Sequence, residues 1–238
     1  MGNEELKKDK TLPVRGIRGK FFLGCIVGLI LLGPRVWAQE DVFRFPLKPE
    51  TMESFTAVTA RLAEHPVVRG NFEQEKTLSR LGRTLKSGGN FIIAAERGMV
   101  WDTVKPFPST LALGKDYLVQ SRPGGQKTAL SAEGNETFLR LAEVLSAVFS
   151  GNARGLLENF EVYFTLKNAA PVPAWEMGLS PLDRAISSFA ARITMSGGQA
   201  IQSITIHEQS GDTTKYTLSN HSYGAGLDAH EKSLFALP

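Results

Sequence analysis

The residues that could carry out chemistry are few and lie far apart in the sequence. No HxxxH or HExxH spacing gathers two histidines to bind a metal. We therefore expect each histidine to lie at the surface or in a turn: His65, His207, His221 and His230. The chain has no GxSxG nucleophile elbow and no SxxK motif. These patterns predict neither catalysis nor a bound metal, and a hydrolase that uses two carboxylates remains the alternative.

The N-terminal 38 residues have the pattern of an export signal. Seven Lys and Arg residues stand there against three Asp and Glu, and an apolar run of 13 residues follows at 21–33. A membrane-spanning helix needs about 20 apolar residues, and Val36-Trp37-Ala38 supply a cleavage pattern. We expect a signal peptide over residues 1–38, and an uncleaved membrane anchor is the alternative. The only cysteine, Cys25, lies within this run, so the exported chain has no disulfide.

Length and composition indicate one ordinary folded domain. The chain has 238 residues, of which 42% are hydrophobic and 21% charged, so disorder and a multi-span membrane protein are both excluded. The net charge of +3 comes from the N-terminal segment. It therefore does not indicate nucleic-acid binding.

Two amphipathic helices are predicted in the exported chain. After an extended segment over residues 39–50, apolar residues at Phe55, Val58 and Leu62 recur at helical spacing between a capping Thr51 and Pro66. A second helix is predicted over residues 135–150, and its apolar face is formed by Phe138, Leu141, Leu145, Val148 and Phe149. A short helix over 154–159 is also expected.

The remainder of the chain alternates with the period of two that is typical of β-strands. The clearest segment is 160–167, where Phe160, Val162 and Phe164 alternate with polar residues. Further runs occur at 90–104, 111–119, 175–179, 189–195 and 216–218. Hairpin turns are expected at 88–89, 122–125, 197–198 and 210–212.

These elements predict a mainly β (α+β) fold, an antiparallel meander of about ten strands. The sheet is expected to be strongly curved, or an incomplete β-barrel, with helices packed on its concave side. Large apolar side chains are numerous for a domain of this size. They fill either a packed core or an apolar cavity, and such a cavity suits acyl chains.

Several motifs resemble a known family. Residues 68–76 (VRGNFEQEK) are similar to the GxFxQ opening strand of the LolA-like outer-membrane lipoprotein carriers, and 87–107 resemble the next hairpin of that family. Residues 147–152, 175–181 and 208–214 continue the resemblance, which covers about residues 50–235 and is nearest to a divergent branch.

The resemblance implies a single carrier domain over residues 51–238. Such a protein is periplasmic and monomeric, has no cofactor, and shuttles lipidated cargo from an inner-membrane donor to an outer-membrane acceptor protein. The cargo stays open among a lipoprotein, a free lipid and a pigment precursor. A structural subunit of an envelope assembly is the alternative.

The predicted binding site is the apolar lining that the sheet shares with the helix of residues 135–150. Acyl chains would contact aromatic and leucine side chains there. The expected contacts are Phe91, Trp101, Phe138, Leu141, Leu145, Phe149, Phe160, Phe164 and Trp175.

Overall fold

The structure, a computed structural model, describes residues 41–95, 97–114, 117–124, 126–130, 144, 147–148, 151–167 and 173–237. The predicted signal peptide lies outside these ranges. So do four of the predicted lipid contacts: Phe138, Leu141, Leu145 and Phe149. Residues 40–238 form one compact unit.

Eleven antiparallel strands form one sheet. Their bounds are β1 (Val67–Leu78), β2 (Arg83–Ala94), β3 (Gly98–Lys105), β4 (Ser109–Leu113), β5 (Leu118–Ser121), β6 (Lys127–Leu130), β7 (Phe160–Lys167), β8 (Ala174–Pro181), β9 (Ala190–Gly197), β10 (Ile201–Glu208) and β11 (Thr213–Gly224). Their order in the sheet is β6-β5-β4-β3-β2-β1-β11-β10-β9-β8-β7. Two meanders, β1–β6 and β7–β11, are thus joined where β1 pairs with β11.

The sheet is open, with β6 and β7 at its edges. The β7 edge is covered by the segment that follows a short 3-10 helix at Val42–Arg44. In that segment the carbonyl of Phe45 accepts a hydrogen bond from the N–H of Phe164 at 2.8 Å, and the N–H of Leu47 donates to the carbonyl of Val162 at 2.9 Å. Pro46 between them has no N–H to offer a further strand, which blocks continued pairing. The predicted fold class, a mainly β and incompletely closed sheet with helices, is confirmed.

Four helices accompany the sheet: α1 (Pro49–Leu62), α2 (Ala153–Asn159), α3 (Arg184–Ser187) and α4 (Ala229–Leu234). Helix α1 begins two residues before Thr51, since Pro49 occupies its first turn and the Thr51 hydroxyl accepts a hydrogen bond from the N–H of Lys48 at 3.0 Å. Within the predicted helix of residues 135–150, Val144, Ala147 and Val148 are described and are helical. No helix in the described ranges is long and apolar enough to cross a membrane.

The two faces of the sheet carry separate cores. The inner face is the one whose side chains form the larger core with α1, α2 and α3, and strands β1–β5 and β7–β11 all contribute to it. The outer face carries a smaller core around Val100, Ala112 and Val119, where Phe235 packs just after α4. The prediction that helices lie on one side of the sheet is therefore incomplete, because the C-terminal helix covers the other side.

Two local predictions from the sequence were wrong. Gly88 and Gly89 do not form a hairpin turn: they lie inside β2, where the pairing with β3 shifts register, and the turn is at residues 79–82. In β9 the buried residue is Ala190 and not Ala191, because the ladder with β10 shifts register there. The turns expected at 197–198 and 210–212 are confirmed.

Candidate functional site

The five predicted contacts that the structure describes lie on the inner face in two groups. Phe91 and Trp101 are cross-strand partners in β2 and β3. Phe160 and Phe164 in β7 lie beside Trp175 in β8, on the far side of β1, β11, β10 and β9 in the sheet order. All five belong to the larger core or pack against it.

Trp101 is the centre of an aromatic cluster. Its ring lies 4.5 Å from that of Phe72, 5.9 Å from that of Phe91 and 5.4 Å from that of Tyr216, between centroids. The contact with Tyr216 is edge-on at 86°. Phe72 and Phe91 are 1% exposed, whereas Trp101 is only partly buried. Burial raises the pKa of Tyr216 to about 12, so that its phenol stays protonated at neutral pH.

A β-bulge brings His221 to the same face. Arg69 pairs with Ser222 and Asn71 with Ser219, so two residues of β11, Asn220 and His221, lie opposite one residue of β1. Asn220 has a φ of +52°, in the left-handed region. The extra residue shifts the alternation of side chains by one.

The consequence of the bulge is that His221 contacts Phe91 edge-on, with ring centroids 5.8 Å apart. This corrects the expectation that each histidine lies at the surface or in a turn, since His221 is partly buried within a strand. His65 and His230 are exposed as expected.

The bulge is held by a row of polar side chains that crosses five strands. The Asn220 amide donates to Asn71 Oδ1 at 2.9 Å, and the Asn71 amide donates to Asn90 Oδ1 at 2.7 Å. The Asn90 amide lies 3.5 Å from Asp102 Oδ2, and the Thr110 hydroxyl donates to Asp102 Oδ1 at 2.7 Å. Because these residues alternate with the aromatic ones, the row fixes from the outer face the position of His221 on the inner face.

Two polar atoms of the aromatic cluster have no hydrogen-bond partner in the described part of the chain. They are Trp101 Nε1 and His221 Nε2, and both are buried. A buried polar atom without a partner costs about 1–3 kcal/mol. Their pairing potential is thus unused in the structure as it stands.

The second group is a filled core. Phe164 makes an edge contact with Phe55 of α1, with centroids 5.7 Å apart, and Trp175 is 0% exposed. The Trp175 indole N–H donates to the carbonyl of Gly198 at 2.9 Å. Unlike Trp101, Trp175 therefore has its polar atom satisfied within the protein.

A small cavity lies next to this second group. It measures about 50 Å³ and is lined by residues of the helical segment 144–147, of α2 and of α3, together with Phe160. Ligand pockets for small molecules have volumes of about 300–1,000 Å³. An acyl chain cannot enter this cavity unless the surrounding elements move apart.

The titratable groups of the described residues do not form a reaction centre. No group of three or more His, Cys, Asp or Glu side chains within those ranges could hold a metal ion. Glu75 forms an exposed ion pair with Lys86 at 2.6 Å, and the hydrogen bond from Lys86 lowers the pKa of that carboxyl. A carboxyl with a lowered pKa is poorly matched to proton transfer at neutral pH.

Replacing Gly70 by alanine is expected to lower the free energy of unfolding by about 1–3 kcal/mol. A Cβ atom there would lie 2.7 Å from the Phe91 ring and 2.7 Å from the carbonyl oxygen of Ser219, so ring and bulge must shift. Urea denaturation measures the loss. Gly226→Ala is the control, since its Cβ would meet nothing within 4 Å; equal stability of the two variants would contradict the expectation.

No protein-family model matches this chain, and no curated protein matches it. Solved structures do match. A LolA superfamily protein from Nitrosomonas europaea is 9% identical, over 78% of this chain and 97% of its own, with a TM-score of 0.44. A putative outer membrane lipoprotein-sorting protein domain from Vibrio parahaemolyticus is 9% identical, over 82% and 100%, with a TM-score of 0.41.

A third solved structure, a DUF1329 family protein from Desulfovibrio piger, is 9% identical over 74% of this chain and 94% of its own, with a TM-score of 0.41. The chain is thus similar, at low identity, to solved structures of the LolA superfamily, the group that its sequence motifs resemble.

Proposed function

We propose that this protein is a non-catalytic periplasmic carrier that binds the acyl chains of a lipoprotein or lipid against the inner face of its sheet. The observation that carries the proposal is the continuous apolar inner face, to which ten strands contribute. The open sheet and the helices that cover this face support it, because such a layer can separate from the sheet without breaking strand pairing.

The energetics of acyl binding suit a carrier. Burying a CH₂ group is worth roughly 0.8 kcal/mol relative to water, so a 16-carbon chain contributes on the order of ten kcal/mol. Transfer of the same chain from a bilayer to an apolar protein face is nearly neutral, because both environments are apolar. The direction of transport must then come from partners, an inner-membrane donor and an outer-membrane acceptor protein.

Binding requires an opening of the inner face. The helical segment that contains Val144 and Val148 is packed into the larger core, with these side chains 3% and 0% exposed. Displacement of this segment would exchange its contacts with the sheet for contacts with an acyl chain of similar polarity. Opening is thereby offset by binding, which is what an exchangeable carrier needs.

The small cavity favours a second candidate, a structural subunit of an envelope assembly. A protein whose interior is permanently filled would present its outer surfaces to other proteins and retain no lipid. The two candidates differ in what the native protein carries when it is purified.

The test is mass spectrometry of the native mature protein, followed by titration with a fluorescent 16-carbon acyl probe. We expect a retained lipid and a probe affinity that falls at least about tenfold in Phe138→Asp and Leu145→Asp, because a charge opposes apolar contact. Leu157→Asp, at a position on α2 that is 39% exposed, is the matched control and should bind normally. Absence of retained lipid together with failure of the folded wild-type protein to bind the probe would favour the structural subunit.

A further inference from the structure

We propose that the aromatic cluster around Phe91 is a polar subsite that recognises a secondary amide, so that the preferred ligand is an N-acyl compound. This inference rests on the proposed function, since the amide is taken to be attached to the acyl chain that the inner face binds. It adds a chemical class of ligand to that function.

The first step is the position of the two unpartnered atoms. Trp101 pairs with Phe91 across β2 and β3, Phe91 pairs with Gly70 across β2 and β1, and His221 in the bulge lies opposite Gly70. The four residues thus form one row across four strands. Trp101 Nε1 and His221 Nε2 lie in this row on either side of Phe91, buried and without partners in the described ranges.

The second step is the hydrogen-bonding character of each atom. The indole nitrogen of Trp101 can only donate. His221 hydrogen-bonds the backbone of Ile201, and its burial lowers the pKa of the imidazole, which is therefore neutral at pH 7. Since Nε2 is the nitrogen without a partner, the bond to Ile201 uses Nδ1, and the neutral ring presents Nε2 as an acceptor.

The third step is the match to a ligand. A secondary amide carries a carbonyl oxygen, which accepts, and an N–H, which donates, on opposite sides of one planar group. It can satisfy Trp101 Nε1 and His221 Nε2 together. An ester offers acceptors alone and leaves His221 Nε2 without a donor, and a hydrocarbon leaves both atoms unpaired.

The row is preorganised for this role. The polar side chains from Asn220 to Thr110 hold the bulge from the outer face, and Gly70 leaves space for the Phe91 ring between the two atoms. A bulge that re-aims one side chain is a recurrent device next to binding sites. Here the side chain that it re-aims is the acceptor.

The experiment uses three decanoyl ligands that differ at one group: N-methyldecanamide, N,N-dimethyldecanamide and methyl decanoate. Isothermal titration calorimetry of the delipidated mature protein should give the N-methyl amide an affinity about tenfold above those of the other two, as one buried hydrogen bond predicts. This comparison needs no substitution, so it cannot be confounded by misfolding.

Two variants assign the effect to the residues. His221→Phe should remove the preference for the N-methyl over the dimethyl amide and leave dimethyl amide binding unchanged. Trp101→Phe should weaken both amides about tenfold, because both use the carbonyl oxygen. If all three ligands bind wild-type protein equally, the inference is overturned and the carrier function stands. If none of them binds and the fluorescent acyl probe also fails, both are overturned.

Discussion

Replacement of Trp175 by alanine is expected to lower the free energy of unfolding by about 3–5 kcal/mol. The side chain is 0% exposed and lies between Leu166 of β7 and Gly197 of β9. Its removal leaves a large void and also removes the indole that donates to the carbonyl of Gly198. Urea denaturation followed by far-UV circular dichroism measures the change.

The control for this prediction is Phe107→Ala. Phe107 is 82% exposed, so loss of its ring should change the stability by less than about 0.5 kcal/mol. A third variant, Trp175→Phe, keeps most of the apolar volume and should fall between the two. If Trp175→Ala costs no more than the control, the site can collapse or open around the missing ring, and Trp175 would then be a ligand contact instead of a core residue.

Side-chain alternation was sufficient to predict the inner face of the regular strands. Phe160, Val162 and Phe164 were expected on one face of their strand, and all three are 5% exposed or less within the larger core. The period of two is reliable here because β7 and β8 pair without interruption from residue 160 to residue 181. The turns and the order of strands followed from the same pattern.

Alternation failed wherever a bulge shifts the register by one residue. His221 and Ala190 both lie beside such shifts, in β11 and β9. Nothing in the residue types around His221 marks the bulge, apart from Asn220, a residue that tolerates the left-handed conformation. The unpartnered histidine of the proposed amide subsite was therefore invisible in the sequence, whereas Phe91 and Trp101 were predicted because their strands are regular at that point.

The outer face was missed for a different reason. Its core is small, and Val100, Ala112 and Val119 read as the polar-side positions of their strands until a helix is known to cover them. That helix, α4, has six residues and too little periodicity to indicate which face it covers. The contact that fixes it joins residues 162 positions apart, beyond the reach of any local pattern.

This contact is the ion pair between Arg69 of β1 and Glu231 of α4. Arg69 Nη2 donates to Glu231 Oε2 at 2.7 Å and to the carbonyl of Gly226 at 2.9 Å, and Arg69 Nε donates to the other carboxylate oxygen. Glu231 also accepts from the N–H of Asp228 at 2.8 Å, while the Asp228 side chain caps the N–H of Glu231 at 2.7 Å. One carboxylate thus closes the first turn of the helix and anchors it to the sheet.

Glu231→Ala is accordingly expected to lower the free energy of unfolding by about 2–4 kcal/mol at pH 7. The loss is below that of a fully buried pair because the Arg69 side chain is 27% exposed and partly solvated. The control is Glu75→Gln, which removes the exposed pair with Lys86 and should have a much smaller effect, since water and salt screen exposed pairs. Equal losses in the two variants would mean that Glu231 does not anchor α4.

The pH dependence of stability separates the ion pair from simple loss of packing. The hydrogen bond from Arg69 lowers the pKa of Glu231, opposed by its burial, so the native state binds this proton less readily than the unfolded chain does. The stability contributed by Glu231 is therefore fully present above about pH 4.5 and is lost as the pH falls through the lowered native pKa. In urea titrations from pH 7 to pH 3, Glu231→Gln should start lower than the wild-type protein and converge with it at the acid end. A constant difference across this range would contradict the assignment, because it would mean that the charge of Glu231 contributes nothing to holding the C-terminal helix.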